Sequence, residues 1–297
     1  MKNLIIITRA NFLPLSIVIV CAGWAAALWR HNVFNLMHAL LAMVGALLTH
    51  VAVNVFNNYF DYRSGVDART PKTPFSGGVE ILVSGQMKPR HCFLVGLAAL
   101  FGAIPIGVYF LTLYFNQLAP ILAYGLIAVC FYTPFLSRLP SLSEIIAGTG
   151  FGFMGLGTYI TQAGIIDSSG IALFVPISIL VGLLLFLNEF PDADADKIAG
   201  RKHIVILVGR KISARIYVLG LFSTYLSIAI AVAVRAAPPQ ILVSFAIVPI
   251  AFKAGSRALR DYDNLTALIP ALGLNVMTVL STILLVATGF TLAVFVR

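Results

Sequence analysis

Apolar residues run in nine long stretches along this chain, at about 11–29, 34–58, 92–113, 118–136, 144–164, 171–190, 213–234, 240–258 and 267–296. The breaks between them contain Pro, Gly or charge. A helix of ~18 or more apolar residues crosses the ~30 Å hydrocarbon layer of a bilayer. The pattern therefore predicts an all-α, polytopic membrane protein of nine transmembrane helices, forming a single transmembrane domain over residues 1–297. The last stretch is longer than one span and either tilts or runs past the membrane. Two connections stand out as long and polar, about 61–91 and 191–212. They follow the second and sixth stretches, which run in the same direction.

At the ends of those two stretches the apolar pattern gives way to amides and carboxylates about four residues apart. Asn54, Asn57 or Asn58, and Asp61 form one stripe, with Asp67 just beyond; Asn188, Asp192 and Asp196 form the other if the helix continues through Pro191. Residues four apart share a helix face, and a helix C-terminus carries partial negative charge that favours cations. Of eleven Asp and Glu, six (Asp61, Asp67, Glu189, Asp192, Asp194, Asp196) fall in these clusters, so the scarce acids are concentrated where they are costly. Any one acid near a helix end reads as a solvated interfacial residue. The matched pair argues for function, and its placement hints at two parallel halves descended from a duplication.

Composition supports the membrane reading, with 60% hydrophobic residues, 10% charged and a mean hydropathy of +0.97. Charge sets the orientation. With the N-terminus cytoplasmic, only Arg30, Arg235 and Arg297 of the twenty Lys and Arg fall on the outer side, a strong positive-inside bias. The net charge of +9 is thus topology, and a nucleic-acid partner is excluded because the basic residues lie in loops between spans. Cys21, Cys92 and Cys130 form no close pair and read as small apolar residues. Ala25-Ala-Ala27 mimics a signal cleavage site but lies inside an apolar run, so the first span is expected to be retained. Tyr, Phe and Trp in the spans read as packing or interfacial anchors, and His203 as a loop residue.

Carboxylates and amide oxygens in this pattern suit Mg²⁺, which takes one or two protein carboxylates and completes its shell with phosphate oxygens. Basic residues follow each cluster: Arg69 and Lys72 after the first, Lys197, Arg201 and Lys202 after the second. The combination describes a diphosphate site at the cytoplasmic edge of a central apolar cavity, suited to a substrate with a diphosphate head and a long apolar tail.

Two segments carry a resemblance. Asn54-Val-Phe-Asn-Asn-Tyr-Phe-Asp61-Tyr-Arg-Ser-Gly-Val-Asp67 resembles the first aspartate-rich motif of the UbiA superfamily of intramembrane prenyltransferases. Asn188-Glu-Phe-Pro-Asp192-Ala-Asp-Ala-Asp196-Lys-Ile-Ala-Gly200-Arg-Lys resembles the second. The Asp61-to-Asp67 spacing around Gly65, the segment Thr73-Pro-Phe-Ser-Gly-Gly78 and the segment Gly157-Thr-Tyr-Ile-Thr-Gln-Ala-Gly164 are similar to the 1,4-dihydroxy-2-naphthoate polyprenyltransferase branch of menaquinone synthesis, although Gly-Thr-Tyr strings also serve helix packing. One departure is Asn58, where the family pattern has an Asp, so the first site carries one negative charge fewer.

The resemblance implies Mg²⁺ held by Asp61, Asp67, Asp192 and Asp196 with Asn57 and Asn188 assisting, binding the diphosphate of a polyprenyl donor. Arg69, Lys72, Lys197 and Arg201 would stabilise the leaving diphosphate, with Asn54 and Asn58 beside it. Tyr124, Tyr132 and Tyr159 would face the allylic cation, and Arg138 matches a basic position of the family. An aromatic acceptor then attacks the cation in a cavity that excludes water. Acceptors such as 4-hydroxybenzoate, haem or a glycerol-phosphate lipid stay open, as does a cation-coupled transporter, although transport acids belong nearer the bilayer midplane. Oligomeric state is not legible.

Overall fold

The computed structural model describes residues 2–70, 72–75 and 78–296, with Lys2 described by its backbone alone. Arg297, Ser76 and Gly77, which entered the charge and motif readings above, lie outside the described residues. Helix makes up 83% of the chain and no strand occurs among the described residues, so backbone hydrogen bonds close within helices, as a chain in lipid requires.

In chain order the helices are α1 (Lys2–Ile7), α2 (Pro14–His31), α3 (Leu36–Ser64), α4 (Glu80–Val83), α5 (Pro89–Phe131), α6 (Leu142–Ala163), α7 (Ser168–Ile198), α8 (Ile204–Val208), α9 (Arg210–Ala233), α10 (Val248–Asp261) and α11 (Leu265–Phe295). Short 3₁₀ segments cover Ala10–Phe12, Leu136–Arg138 and Pro239–Ile247. Among the described residues seven helices are long and apolar enough to cross a membrane: α2, α3, α5, α7, α9, α10 with its preceding 3₁₀ segment, and α11.

The nine expected stretches map onto these seven with two differences. The stretches 92–113 and 118–136 are joined in α5, which is 43 residues long. A straight helix of that length would reach ~65 Å, twice the hydrocarbon layer. It is not straight, because Tyr114 leaves the helical conformation (φ −137°, ψ 46°). A Cβ on Gly107 would lie 3.7 Å from Leu122 Cδ1, so the two halves fold back on each other. The stretch 144–164 appears as α6, whose Gly148, Gly150, Gly152, Gly155 and Gly157 dilute its apolar character and keep it out of the seven. Those glycines allow close approach: a Cβ on Gly148 would fall 2.3 Å from the Ser178 carbonyl oxygen of α7.

Both acid-bearing helices outrun their apolar stretches. Asn35 caps the start of α3, and Asp167 caps α7 through the N–H groups of Ser169 and Gly170. At the other end α3 continues to Ser64, and α7 passes through Pro191 to Ile198. The largest core cluster gathers side chains of α2, α7, α9 and α11, including Ile19, Leu187, Phe190, Tyr217, Leu272 and Phe290. Within it the Tyr217 hydroxyl donates to Asn275 Oδ1 at 3.0 Å, and Asn275 Nδ2 donates to the Leu183 carbonyl at 3.1 Å, tying three helices together. Large apolar side chains such as Phe101, Leu219, Phe222 and Phe252 face outward, the reverse of a water-soluble surface. Cys92 is buried, Cys21 and Cys130 are half-buried, and all three are free thiols.

Candidate active site

The C-termini of α3 and α7 meet at one end of the bundle, the polar end. Just past each helix end stands a glycine in the left-handed region, Gly65 (φ 73°) and Gly200 (φ 82°). Beyond it the chain turns back: Val66 N–H donates to the Asp61 carbonyl at 3.1 Å, and Arg201 N–H donates to the Asp196 carbonyl at 3.0 Å. Gly65 N–H and Gly200 N–H likewise donate to the Tyr62 and Lys197 carbonyls, both at 3.1 Å. These are two copies of one helix-ending turn, each built on a motif aspartate.

The second turn folds Arg201 back over the site. Its Nη1 donates to Asp196 Oδ1 at 2.8 Å, and its Nη2 donates to Asp61 Oδ1. Burial alone would weaken the guanidinium's hold on its proton, but the Asp61 and Asp196 carboxylates outweigh it and raise the pKa further.

These groups head a cavity of about 300 Å³ whose polar end is lined by Arg9, Asn57, Asp61, Asn188, Asp192 and Arg201. Asn54 and Asp196 also border it. Its deeper walls are apolar and include Phe151, Met154, Val181 and Leu184, with Tyr132 and Phe75 alongside. Asn188 Oδ1 is buried without a hydrogen-bond partner. Asn57 Nδ2 donates to Thr133 Oγ1 at 3.2 Å, and Asn54 Nδ2 to the Thr8 carbonyl at 3.1 Å.

Asp67 is buried behind Gly78, where any Cβ would strike its carboxylate, and its Oδ2 has no hydrogen-bond partner. Burial, reinforced by the Asp61 charge, pushes the Asp67 carboxyl up to about 7, while Arg9, Lys72 and Arg201 work the other way. Lys72 Nζ donates to the Asp67 carbonyl at 2.9 Å.

Several expected positions lie elsewhere. Asn58 is fully buried off the cavity wall, with Nδ2 donating to the Ile7 carbonyl at 2.9 Å and Oδ1 accepting from Arg9 Nη2 at 2.6 Å. It anchors the N-terminal segment. Tyr124 places its hydroxyl 2.5 Å from Thr149 Oγ1 and stacks edge-on with Phe153, off the cavity. Tyr159 sits at the opposite end of the bundle, donating to Asp167 Oδ1 at 2.8 Å beside His31. The Gly157–Gly164 segment serves that end too, where Gln162 clasps both backbone groups of Asn35. Arg69, Lys72 and Lys197 are exposed and stand off this cavity. Arg138 borders a second, polar cavity of about 320 Å³ that shares Asp61 and Arg201 with the first.

Sequence reasoning missed Arg9 and the burial of His203. Arg9 adopts a left-handed backbone (φ 49°, ψ 51°), uncommon for a residue with a Cβ, and lines the cavity. His203 is a loop residue, as expected, but a buried one: it is 1% exposed and lines the cavity.

A profile of the UbiA prenyltransferase family matches residues 18–271. The chain belongs to this family. It is a multi-pass membrane protein and a prenyltransferase. It is similar to the 1,4-dihydroxy-2-naphthoate octaprenyltransferase of Bacillus subtilis, at 30% identity over 246 residues, covering 82% of this chain and 78% of that protein. It is also similar to the UbiA prenyltransferase domain-containing protein 1 of Danio rerio, at 29% identity over 217 residues, covering 71% of this chain and 62% of that one. Among solved structures, a UbiA homolog from Aeropyrum pernix K1 aligns with a TM-score of 0.72 at 18% identity, covering 93% of this chain and 97% of that one. A UbiA homolog from Archaeoglobus fulgidus bound to DMAPP and Mg²⁺ aligns with a TM-score of 0.61 at 14% identity, covering 96% and 99%. These two likenesses establish the UbiA fold.

Proposed function

We propose that this UbiA-family enzyme transfers a polyprenyl group from polyprenyl diphosphate to 1,4-dihydroxy-2-naphthoate, an Mg²⁺-dependent step of menaquinone synthesis. The observation that carries the reading is the convergence of two aspartate-bearing helix ends, joined through Arg201, at the head of an apolar cavity. Support for the acceptor comes from the Bacillus subtilis relative, and support for the donor and metal from the Archaeoglobus fulgidus homolog.

The residues present fit Mg²⁺. The donors are all oxygen, and a buried amide oxygen of Asn188 and a carboxylate oxygen of Asp67 lack hydrogen-bond partners. Asp61, Asp67, Asp192 and Asp196, with Asn57 and Asn188, would hold the ion, which supplies positive charge to a departing diphosphate. Arg9 and Arg201 bind the diphosphate oxygens and stabilise the negative charge that grows as the C–O bond breaks, its electron pair leaving with oxygen. The apolar walls keep water from the allylic cation, and the Tyr132 ring offers it a π-face. An electron-rich ring carbon of the acceptor then forms the new C–C bond, and the substituent it carried leaves, as a proton or, from a carboxylated carbon, as CO₂, which restores the aromatic ring. In this reading each half of α5 and all of α6 also cross the membrane, giving nine crossings, and the distribution of Lys and Arg supports a cytoplasmic polar end. The whole chain acts as one unit.

Purified enzyme in detergent, supplied with polyprenyl diphosphate, Mg²⁺ and a panel of aromatic acids, tests this. Prenylated naphthoate that disappears with chelator and in Asp61→Ala and Asp192→Ala is expected. Product with another acceptor and none with naphthoate overturns the acceptor assignment.

A further inference from the structure

Three buried side chains beside the cavity take no part in the diphosphate site. Glu144 lies in the first turn of α6, Glu189 near the polar end of α7, and His203 just before α8. We propose that they form a site for a divalent first-row transition ion of the Zn²⁺ type, distinct from the Mg²⁺ position.

One donor atom from each of the three lies within 4.8 Å of the others. Donors about 2.0–2.2 Å from one tetrahedral ion lie ~3.4 Å apart, so side-chain movement of about an ångström closes the site. The residues are 6%, 6% and 1% exposed. Glu189 Oε2 and both ring nitrogens of His203 have no hydrogen-bond partner. His203 Nδ1 stands 3.6 Å from Glu189 Oε2, and its Nε2 stands 3.3 Å from Asp196 Oδ2, in ion-pair range of both acids yet unbonded.

Glu144 is held in place from outside the cluster. Its Oε2 accepts from Ser143 Oγ and its Oε1 from the Ile204 N–H, both at 2.7 Å. Outer donors of this kind orient a metal ligand, and each oxygen keeps a second lone pair. Two carboxylates buried together need a cation or a shared proton between them, and the nearby Arg201 is engaged with Asp61 and Asp196. One imidazole with two carboxylates suits Zn²⁺, whereas Mg²⁺ prefers oxygen donors alone. Glu189 and His203 line the cavity, which supplies an entry path and an open coordination position for water or an anionic oxygen.

Full-length protein in detergent is stripped with chelator, given Zn²⁺ in excess Mg²⁺, desalted and analysed for bound zinc; Co²⁺ replaces Zn²⁺ for its visible absorption. Wild type is expected to retain about one ion per chain, with Co²⁺ bands of low coordination number. Glu189→Gln and His203→Ala should each lose it, Asp61→Asn and Asp192→Asn should keep it, and His203→Cys, which supplies a thiolate, should also keep it. Absence of retained zinc in wild type overturns the proposal and leaves the cluster as acids sharing a proton. Retention undiminished in Glu189→Gln also overturns it, as does loss in the two aspartate variants. Should His203→Ala fail to fold, His203→Cys and Glu189→Gln decide. Prenyl transfer is scored separately, so this result stands apart from the proposed reaction.

Discussion

The carbonyls of Asp61 and Asp196 occupy the same position in two copies of one helix-ending turn, and Arg201 joins their carboxylates. Two acids 135 positions apart (196 − 61) are thereby held together by a cation, where otherwise they would repel. A divalent ion bound as proposed would compete with Arg201 for the same oxygens and free its guanidinium for the diphosphate.

Removing Arg201 leaves two buried carboxylates without their partner. Arg201→Ala is expected to lower stability by about 3–5 kcal/mol in metal-free protein. Thermal unfolding should show the deficit narrowing on addition of Mg²⁺, with Arg201→Lys intermediate.

Arg9 lines the cavity and bonds Asn58. Charge-assisted hydrogen bonds contribute about 1.5–3 kcal/mol, so Arg9→Ala should reduce kcat/KM by about tenfold to a hundredfold. Steady-state kinetics varying the prenyl diphosphate will measure it, and an unaltered kcat/KM would remove Arg9 from the site.

Asn58→Asp is expected to leave the dependence on Mg²⁺ unchanged while lowering stability by about 1–3 kcal/mol. The amide donates to the Ile7 carbonyl, and a carboxylate there presents an acceptor to an acceptor. Activity titrated with Mg²⁺ and a melting curve separate the two effects. A rise in metal affinity would bring position 58 into the metal shell.

Tyr132 and Tyr159 should part company. Tyr159→Phe deletes a hydrogen bond to Asp167 at the far end of the bundle and is expected to cost about 1.5–3 kcal/mol with activity retained. Tyr132→Ala, on the cavity wall, should depress kcat. Parallel melting and rate measurements check both.

The Asp67 carboxyl is raised from 3.8 to about 7, so between these values the folded state holds a proton that the unfolded chain has released. Metal-free stability should therefore fall as pH rises from about 4 to 7, and Mg²⁺ affinity should rise through the upper part of that window as the proton departs. Melting curves and Mg²⁺ titrations across pH, with Asp67→Asn flattening both, are the measurement.

Much of the site was legible because its signal is periodic. Asn57 and Asp61, and Asn188, Asp192 and Asp196, follow helix spacing, and the structure puts them together. Arg9, Glu144 and His203 carry no such signal: a lone arginine after a short apolar run, one acid at a helix start and one loop histidine gain meaning only when the turn at Arg9, the start of α6 and the turn after Gly200 come together beside one cavity. Tyr124 and Tyr159 lie away from the cavity for the converse reason, since a tyrosine in an apolar helix does not announce which face or which end of the bundle it serves. Asn58 looked like a weakened metal ligand because it neighbours one; one helical step turns it toward Ile7 and Arg9 instead.

By itself the sequence determined the helical membrane character, the two acid-bearing helix ends and the chemistry their oxygens suit, because hydropathy and the 3.6-residue period are local properties. Tertiary structure alone decided the fold-back at Tyr114, the bridge from Arg201 to Asp61, and the burial of His203 between Glu189 and Asp196. Those contacts join residues distant along the chain. They depend on how closely glycine-bearing helices approach and on where left-handed glycines turn the chain, and no spacing along one helix encodes either.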